Sequence, residues 1–455
     1  METSDFFKDK KVTVMRIGLL GRGVGDAAFL AEQGADIHVV DDAPQKVMQP
    51  SVDALKEYEN IKFTFGPYQE KHFTEADYVL VGAGAPLGLP VLEAARAAGV
   101  PLKQSAAWFA ELSKIPIIGV TGTRGKSTVT HMIHHILSTV TDGEVLLGGN
   151  VRGLSNLQLL KKVKEDSIAV MELDSWQLQG WGWSKMSPQI AVFTNFMQDH
   201  MNYYQGDDNS LEEGMDLYFE DKANIFRYQE ESGVLVTIPE VFERAKGLKG
   251  VTLSQEVILA DASVIPEDTL LAMPGEHNRL NAALALEALK ATSLEEDVIL
   301  EALASFSGVE GRLQLVKTID NIRIYNDNNA TTPQATVAAL KALDLGNKNI
   351  ILIAGGADKK NDLTSLIKGM EEHCKKVILI PGTGTDKLLE ELSSTIIYDS
   401  EKVLMMENLK QSVEEARLSA ENGDIILFSP AFASFGAYVN EYERNDEFMR
   451  LVELI

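Results

Sequence analysis

The densest chemistry in the chain lies at Gly122-Thr123-Arg124-Gly125-Lys126-Ser127-Thr128, between an apolar run, IPIIGVT, and a helical run, TVTHMIHHIL. It is a P-loop-like sequence, shorter than GxxxxGK[ST]. Backbone N–H groups at a helix start cradle phosphates, Lys126 supplies a positive charge, and Ser127 can ligate Mg²⁺. Two more groups fall just after apolar runs: Glu172 ends SIAVMEL, and His200 sits in TNFMQDH. Strand ends in one parallel sheet converge on one crevice, so both suit metal or phosphate work there. Taken singly, Glu172 reads equally well as a surface acid and His200 as a structural histidine.

A second set stands towards the C-terminus. It comprises Asp327 in YNDNNATTP, the loop Gly355 to Lys360, and Ser429 and Ser434 in SPAFASF. Asn and Asp also build ordinary turns, so each alone says little. Near the start, Gly21, Gly23 and Gly25 do not fit GxGxxG, since Asp26 holds the sixth position. A tight turn alone accounts for these glycines. Asp41 ends the next apolar run, where an acid commonly reads a ribose or a base edge. From this segment alone an NAD site and a UDP site are both open.

These groups need elements to hold them, and the pattern supplies three α/β units in series. VTVMRIGLL, the glycine turn, the helical DAAFLAEQGA and IHVVDD read as a βαβ unit, followed by DYVLVGAG and VLEAARAAG. The second unit begins at IPIIGVT and continues through SIAVMEL and QIAVFTNF. From about residue 207 the pattern turns polar, and GDDNSLEEG reads as a solvated loop. NRLNAALALEALKA is strongly helical. The third unit starts near Leu313, with IRIYND, NIILIAGGAD, KVILIPGTGT and DIILFSPAFAS as strands and TPQATVAALKAL as a helix between them.

Composition narrows the class. In 455 residues, 42 Lys and Arg stand against 67 Asp and Glu, a formal charge of −25. Such a chain is repelled from nucleic acid and from anionic membranes. With 45% hydrophobic and 24% charged residues it can bury large cores. Cys374 is alone, which excludes an internal disulfide and a cysteine-based zinc site. METSDFFKDKK has no apolar run behind it and no window of about 18 apolar residues occurs, so the expectation is a cytoplasmic protein.

Nine blocks in order resemble the Mur ligase family, the ATP-dependent amino-acid ligases of peptidoglycan precursor synthesis. They are GTRGKST, GGN (Gly148 to Asn150), MELDSWQL, TNFMQDHMNYY, PGEHNRLNAALA, GRLQLV, NDNNATTP, GGADK, and SPAFASF with NEYERNDEF. The resemblance spans nearly the whole chain. It implies a Rossmann-like N-terminal domain (1–113) for a UDP-substrate and a central P-loop ATPase-type α/β domain (114–311) for ATP. A Rossmann-like C-terminal domain (312–455) for an amino acid completes the α/β fold. Within the family the pattern is most similar to the members that add D-glutamate to UDP-N-acetylmuramoyl-L-alanine through an acyl phosphate, acting as monomers.

The same resemblance implies roles. The P-loop residues Gly122 to Thr128 hold the ATP phosphates, and Lys126 and Ser127 act on them with one Mg²⁺, which Glu172 also ligates. His200 binds a second Mg²⁺. Lys222, in YFEDKANIF, carries a carbamate that bridges the metals. His277, Asn278 and Asn281 line adenine and ribose, with Arg312 and Asp327 closing from the third domain. Asp41 faces the uracil and the turn Gly21-Arg22-Gly23 the UDP phosphates, while Asn150 and Gln177 contact the muramoyl part. Thr331, Lys359 and Ser434 hold the amino acid.

Four positions depart from the family's usual pattern. Asn329 stands where a lysine is usual, Glu441 with Tyr442 beside it where an aromatic residue is usual, Asp174 for a serine, and GAGAPLG for a Ser-Pro-Gly turn. A family member adding a different amino acid is therefore the first alternative. A nicotinamide-dependent oxidoreductase and a non-catalytic nucleotide-binding protein are the others.

Overall fold

The computed structural model describes residues 6–455 except 20, 206–208, 270, 272, 274, 345, 360 and 394–401. Lys360, Pro274 of PGEHN and the start of GDDNSLEEG lie outside the described residues.

The chain forms three sheets. The first takes strands Lys11–Met15 (β1), Asp36–Asp41 (β2), Ile61–Phe65 (β3), Tyr78–Val81 (β4) and Leu102–Lys103 (β5), in the order β3-β2-β1-β4-β5 and all parallel. The second takes Ile117–Thr121 (β6), Val145–Gly149 (β7), Ile168–Glu172 (β8), Ile190–Phe193 (β9), Val234–Thr237 (β10) and Glu256–Leu259 (β11). Its order is β11-β10-β9-β6-β8-β7, again all parallel. The third is formed by Gln314–Ile319 (β12), Ile322–Asn326 (β13), Ile350–Ala354 (β14), Cys374–Leu379 (β15), Val403–Met405 (β16) and Ile425–Phe428 (β17). Its order is β12-β13-β17-β14-β15-β16, with β12 antiparallel to β13 at the edge.

Central strands read as unbroken apolar runs because helices cover both faces of a parallel sheet. All five residues of IILIA in β14 are buried, as are all five of IIGVT in β6. The edge strand β12 buries none of its six residues.

Contacts divide the chain into two compact units. One is Met1–Ile265 with Leu280–Ala302; the other is Pro266–Arg279 with Leu303–Ile455. In the first unit, helix Arg22–Glu32 (α1) buries Ala27, Phe29, Leu30 and Ala31. Its glycines have distinct reasons. Gly21 precedes the helix at φ 85°, where a Cβ is costly. A Cβ on Gly23 would sit 2.2 Å from the Ile17 carbonyl oxygen, and one on Gly25 2.6 Å from Ser155 Cβ. Asp26, which spoils the dinucleotide pattern, is a buried clamp. Its carboxylate accepts from Ser155 Oγ at 2.6 Å and from the Leu157 N–H at 3.1 Å. Burial pushes its carboxyl above the usual range.

Helix Lys126–Val140 (α2) follows the P-loop-like turn, and Ser175–Ser184 (α3) follows β8. The expected solvated loop at GDDNSLEEG is corrected in its second half. Ser210 caps helix Leu211–Ala223 (α4) through a capping box, its Oγ accepting from the Glu213 N–H at 3.2 Å while the Glu213 carboxylate accepts from the Ser210 N–H at 2.8 Å. The polar first turn concealed a helix whose buried side lies further on, at Tyr218, Phe219, Lys222 and Ala223. Helix Glu276–Lys290 (α5) matches the expected helical run. In the second unit, Pro333–Leu343 (α6) and Glu441–Glu453 (α7) are the helices that bear on the site. Among the described residues no helix is long and apolar enough to cross a membrane.

Candidate active site

The β6–turn–α2 segment is pinned to the segment following β9. The Thr123 N–H donates to the Asn195 carbonyl at 2.9 Å, the Arg124 N–H to Asn195 Oδ1 at 2.8 Å, and Thr194 Oγ1 to the Arg124 carbonyl at 2.5 Å. Gly122 adopts φ 143°, and a Cβ there would fall 1.9 Å from Thr194 Oγ1. A Cβ on Gly125 would lie 2.5 Å from Asn281 Oδ1 of α5. Only glycine lets the loop and its neighbours approach so closely. Lys126 folds back, its Nζ donating to the carbonyls of Gly122 at 3.0 Å and Thr123 at 3.2 Å. Half-buried Ser127 is the second residue of α2.

Lys222, from α4, shares the Gly122 carbonyl with Lys126. Its Nζ donates to that oxygen at 2.8 Å and to Thr121 Oγ1 at 3.3 Å, and lies 4.9 Å from the Tyr218 ring centre. The residue is fully buried at 1% exposure. Burial, with the Lys126 ammonium next, pushes its amine well below the ordinary lysine range. Glu172 ends β8 nearly buried, and its described hydrogen bond is a long one from Asn150 Nδ2 at 3.4 Å. His200 takes a left-handed conformation, φ 57°, with its ring 4.7 Å from that of Trp176. Burial lowers its pKa, which keeps the imidazole neutral and able to act as a ligand.

The four residues expected at metal fit that role on chemistry. A buried carboxylate with one weak partner wants a cation, and Ser127 and neutral His200 are acceptable donors. Among the described residues no three His, Cys, Asp or Glu side chains form a metal site by themselves. A Mg²⁺ here would draw further oxygens from phosphate.

In the first unit a cavity of about 240 Å³ opens beside β1, its walls including Arg16, Arg22, Gly23, Ser105, Asn156 and Gln177. Arg22 Nη1 donates to Asn150 Oδ1, which links the glycine turn to Glu172. Gln177 is drawn into the capping box of Asp174, its N–H donating to Asp174 Oδ1 at 2.8 Å. The aspartate found for a serine thus serves as a helix cap. Asp41 does not line this cavity; its Oδ1 accepts from the Ala43 N–H at 3.0 Å. Sequence reasoning missed Arg16, which stands at φ 59° and bonds Asp42 at 3.2 Å.

In the second unit a pocket of about 360 Å³ gathers Arg312, Asn329, Thr331, Lys359, Ser434 and Glu441 with Tyr442. The three residues expected at the amino acid are all here, and so is Arg312, expected at ATP. Asp327 is turned inward, its carboxylate accepting from Ser429 Oγ at 2.8 Å and the Leu313 N–H at 3.0 Å. Burial pushes its pKa up to about 7. A raised folded pKa means stability that is lost as pH rises through that value. Hydrogen exchange of β13 and β17 is therefore expected to show wild type losing stability relative to Asp327→Asn between pH 4 and 8. A difference independent of pH would contradict the buried-acid assignment. Also in this unit, Asn278 is buried and His277 exposed.

Sheets of this kind with a P-loop turn, a buried lysine on its carbonyl and a separate polar pocket define a nucleotide-using α/β enzyme. Three family models match in series: "Mur ligase MurD-like, N-terminal domain" over 10–103, "Mur ligase middle domain" over 120–256 and "Mur ligase, glutamate ligase domain" over 311–432. A UDP-N-acetylmuramoylalanine–D-glutamate ligase of Roseiflexus sp. is 32% identical over 474 residues, 98% of each chain. The enzyme of that name from Geobacillus kaustophilus is 32% identical over 99% of each. Among solved structures, the UDP-N-acetylmuramate-alanine ligase MurC of Thermotoga maritima shares the fold at TM-score 0.59 and 19% identity, covering 98% of this chain and 99% of its own. The chain belongs to the Mur ligase family, and is an ATP-dependent, amide-forming ligase. That membership removes the oxidoreductase alternative.

Proposed function

We propose that this enzyme adds D-glutamate to UDP-N-acetylmuramoyl-L-alanine in peptidoglycan precursor synthesis, in the cytoplasm. The similarity to ligases of that name over 98% of the chain supports it. Residues 1–113 take the UDP-substrate at the β1 cavity, 114–311 take ATP, and 312–455 take the amino acid.

The observation that carries the chemistry is Lys222. A buried amine next to Lys126, pushed towards neutrality, is a nucleophile for CO₂; the product, a carbamate, turns a repelled cation into an anion. Ser127, Glu172, His200 and the Lys222 carbamate would hold Mg²⁺, which neutralises phosphate charge when bound. The turn Gly122 to Thr128 presents its N–H groups and Lys126 to the ATP phosphates, and Asn281, packed against Gly125, stands at the nucleoside. ATP phosphorylates the substrate carboxylate, the amine attacks the acyl phosphate, and phosphate leaves. The protein's share is orientation and charge stabilisation.

The net charge of −25 fits this reading once local charge is separated from total charge. Every substrate is an anion, so binding rests on a few placed cations, Lys126, Arg312, Lys359 and Mg²⁺, within an acidic exterior.

Asn329 and Glu441 favour a test with more than one amino acid. Phosphate release from ATP with UDP-N-acetylmuramoyl-L-alanine is expected to require D-glutamate among a panel of D- and L-amino acids. Release with another amino acid relocates the specificity, and no release with any of them overturns the assignment.

A further inference from the structure

The groups expected at Mg²⁺ come from elements of unequal firmness. Glu172 ends β8, a strand paired on both sides, to β6 and to β7. His200 stands in irregular chain beyond the end of β9, at φ 57°, and opens the single helical turn Met201–Tyr204. Its carbonyl accepts from the N–H groups of Tyr203 at 2.9 Å and Tyr204 at 3.1 Å, so histidine and turn move as one piece. A contact from outside the turn must fix that piece against α4, which carries Lys222.

Asp221 supplies it. Successive residues of a helix point about 100° apart, so Asp221 faces another side of α4 from Lys222, whose amine is spent on the Gly122 carbonyl. Asp221 Oδ2 accepts from Tyr204 Oη of the turn at 3.0 Å and from Gln179 Nε2 of α3 at 2.7 Å. The same Gln179 amide also donates to Tyr203 Oη at 3.3 Å. Tyr204 and Gln179 are buried, and the Tyr218 ring of α4 lies 5.1 Å from that of Tyr204 and 5.8 Å from that of His200. One carboxylate oxygen thus gathers the helix after Glu172, the turn after His200 and the helix of Lys222. Without it the buried Tyr204 hydroxyl loses this acceptor, and the Gln179 amide loses its shorter bond.

We propose that Asp221 is a positioning residue of the ligase: its carboxylate fastens the His200 turn to α4 and so sets the spacing of His200 and Lys222. The inference rests on the ligase reading and adds one residue to it. Asp221 touches no reacting group in this role. It acts through its neighbours, where a displacement of about 1 Å is enough to lower turnover sharply.

The test follows phosphate release by the full-length enzyme with ATP, UDP-N-acetylmuramoyl-L-alanine and D-glutamate, and hydrogen exchange at residues 201–204 without substrates. Asp221→Ala is expected to lower kcat about ten- to a hundredfold, hold KM for D-glutamate, and speed exchange at 201–204. Asp221→Asn still offers one oxygen to both donors, so it should recover most of kcat and of the protection. Tyr204→Phe removes the bond from the other side and should lower kcat as well; combined with Asp221→Ala it should cost no more than Asp221→Ala alone. A merely structural residue would lower stability and leave the kcat of folded enzyme and this coupling unmoved. Losses that multiply in the double variant, or an unchanged kcat in both single variants, overturn the role of Asp221 and leave the ligase reading standing. If Asp221→Ala does not fold, Tyr204→Phe decides alone: lower kcat with KM held supports the role, and unchanged kcat overturns it. A wild type that releases no phosphate with any amino acid removes the ligase reading, and this role with it.

Discussion

Lys222→Ala is expected to lower turnover by about 10²- to 10³-fold, with partial recovery on adding formate or acetate. The size of the loss follows from the position of the amine, on the carbonyl of the first P-loop glycine at 2.8 Å and 1% exposed. A protonated lysine there would add a second cation beside Lys126 in a place poor in water. Burial opposes that charge, and the Lys126 ammonium opposes it further. A carbamate on this amine would reverse the sign, and in the alanine variant a small carboxylate would enter the vacated space and supply the missing oxygens. Carbon-13 bicarbonate should label wild type with a carbamate resonance that Lys222→Ala lacks. A fully active variant, or a resonance retained in it, would place the bridging group elsewhere.

Much of this site was legible in residue types, and the remainder was hidden for identifiable reasons. GTRGKST announced its own turn because only glycine tolerates φ 143° at 122 and the close approach of Asn281 at 125. The strands of the third sheet were plain in IILIA and DIILF, buried on both faces; the edge strand β12 was missed because its residues bury too little to leave a pattern. The α4 helix was concealed by an acidic first turn, although Ser210 and Glu213 spell a capping box. Asp26 looked like a broken glycine motif, since nothing local reveals that Ser155, 129 residues away, supplies its partner. At Asp41 the place at a strand end suggested a ligand, and the fold adds what the run could not show: Oδ1 also accepts from the Ala43 N–H of its own turn. Local chemistry reads well from sequence; a partner brought by the fold does not.

Arg444 is the clearest such residue, and Arg444→Leu is expected to cost about 2–5 kcal/mol of stability in the second unit. Nothing in NEYERNDEF separates it from the exposed charges around it, yet it is 0% exposed. Its Nε donates to Asn328 Oδ1 at 2.8 Å, Nη2 to the Asn328 carbonyl at 3.0 Å, and Nη1 to the Phe432 carbonyl at 3.3 Å. Burial pulls its pKa down to about 10, so the guanidinium stays charged at neutral pH. Leucine would leave these acceptors buried without donors, and the penalty for an unmet buried acceptor exceeds the net worth of the bond that met it. Lysine keeps the charge but has no planar fork to reach all three oxygens, so Arg444→Lys should fall between wild type and Arg444→Leu. Asn328 also donates to Asn329 Oδ1 and the Glu441 carbonyl, so loosening it displaces two walls of the pocket proposed for the amino acid. Faster hydrogen exchange in α7 and β17 should accompany a KM for the amino acid that rises while KM for ATP holds. A leucine variant as well protected as wild type, with both constants unchanged, would mean that this buried cation neither stabilises the unit nor shapes the pocket.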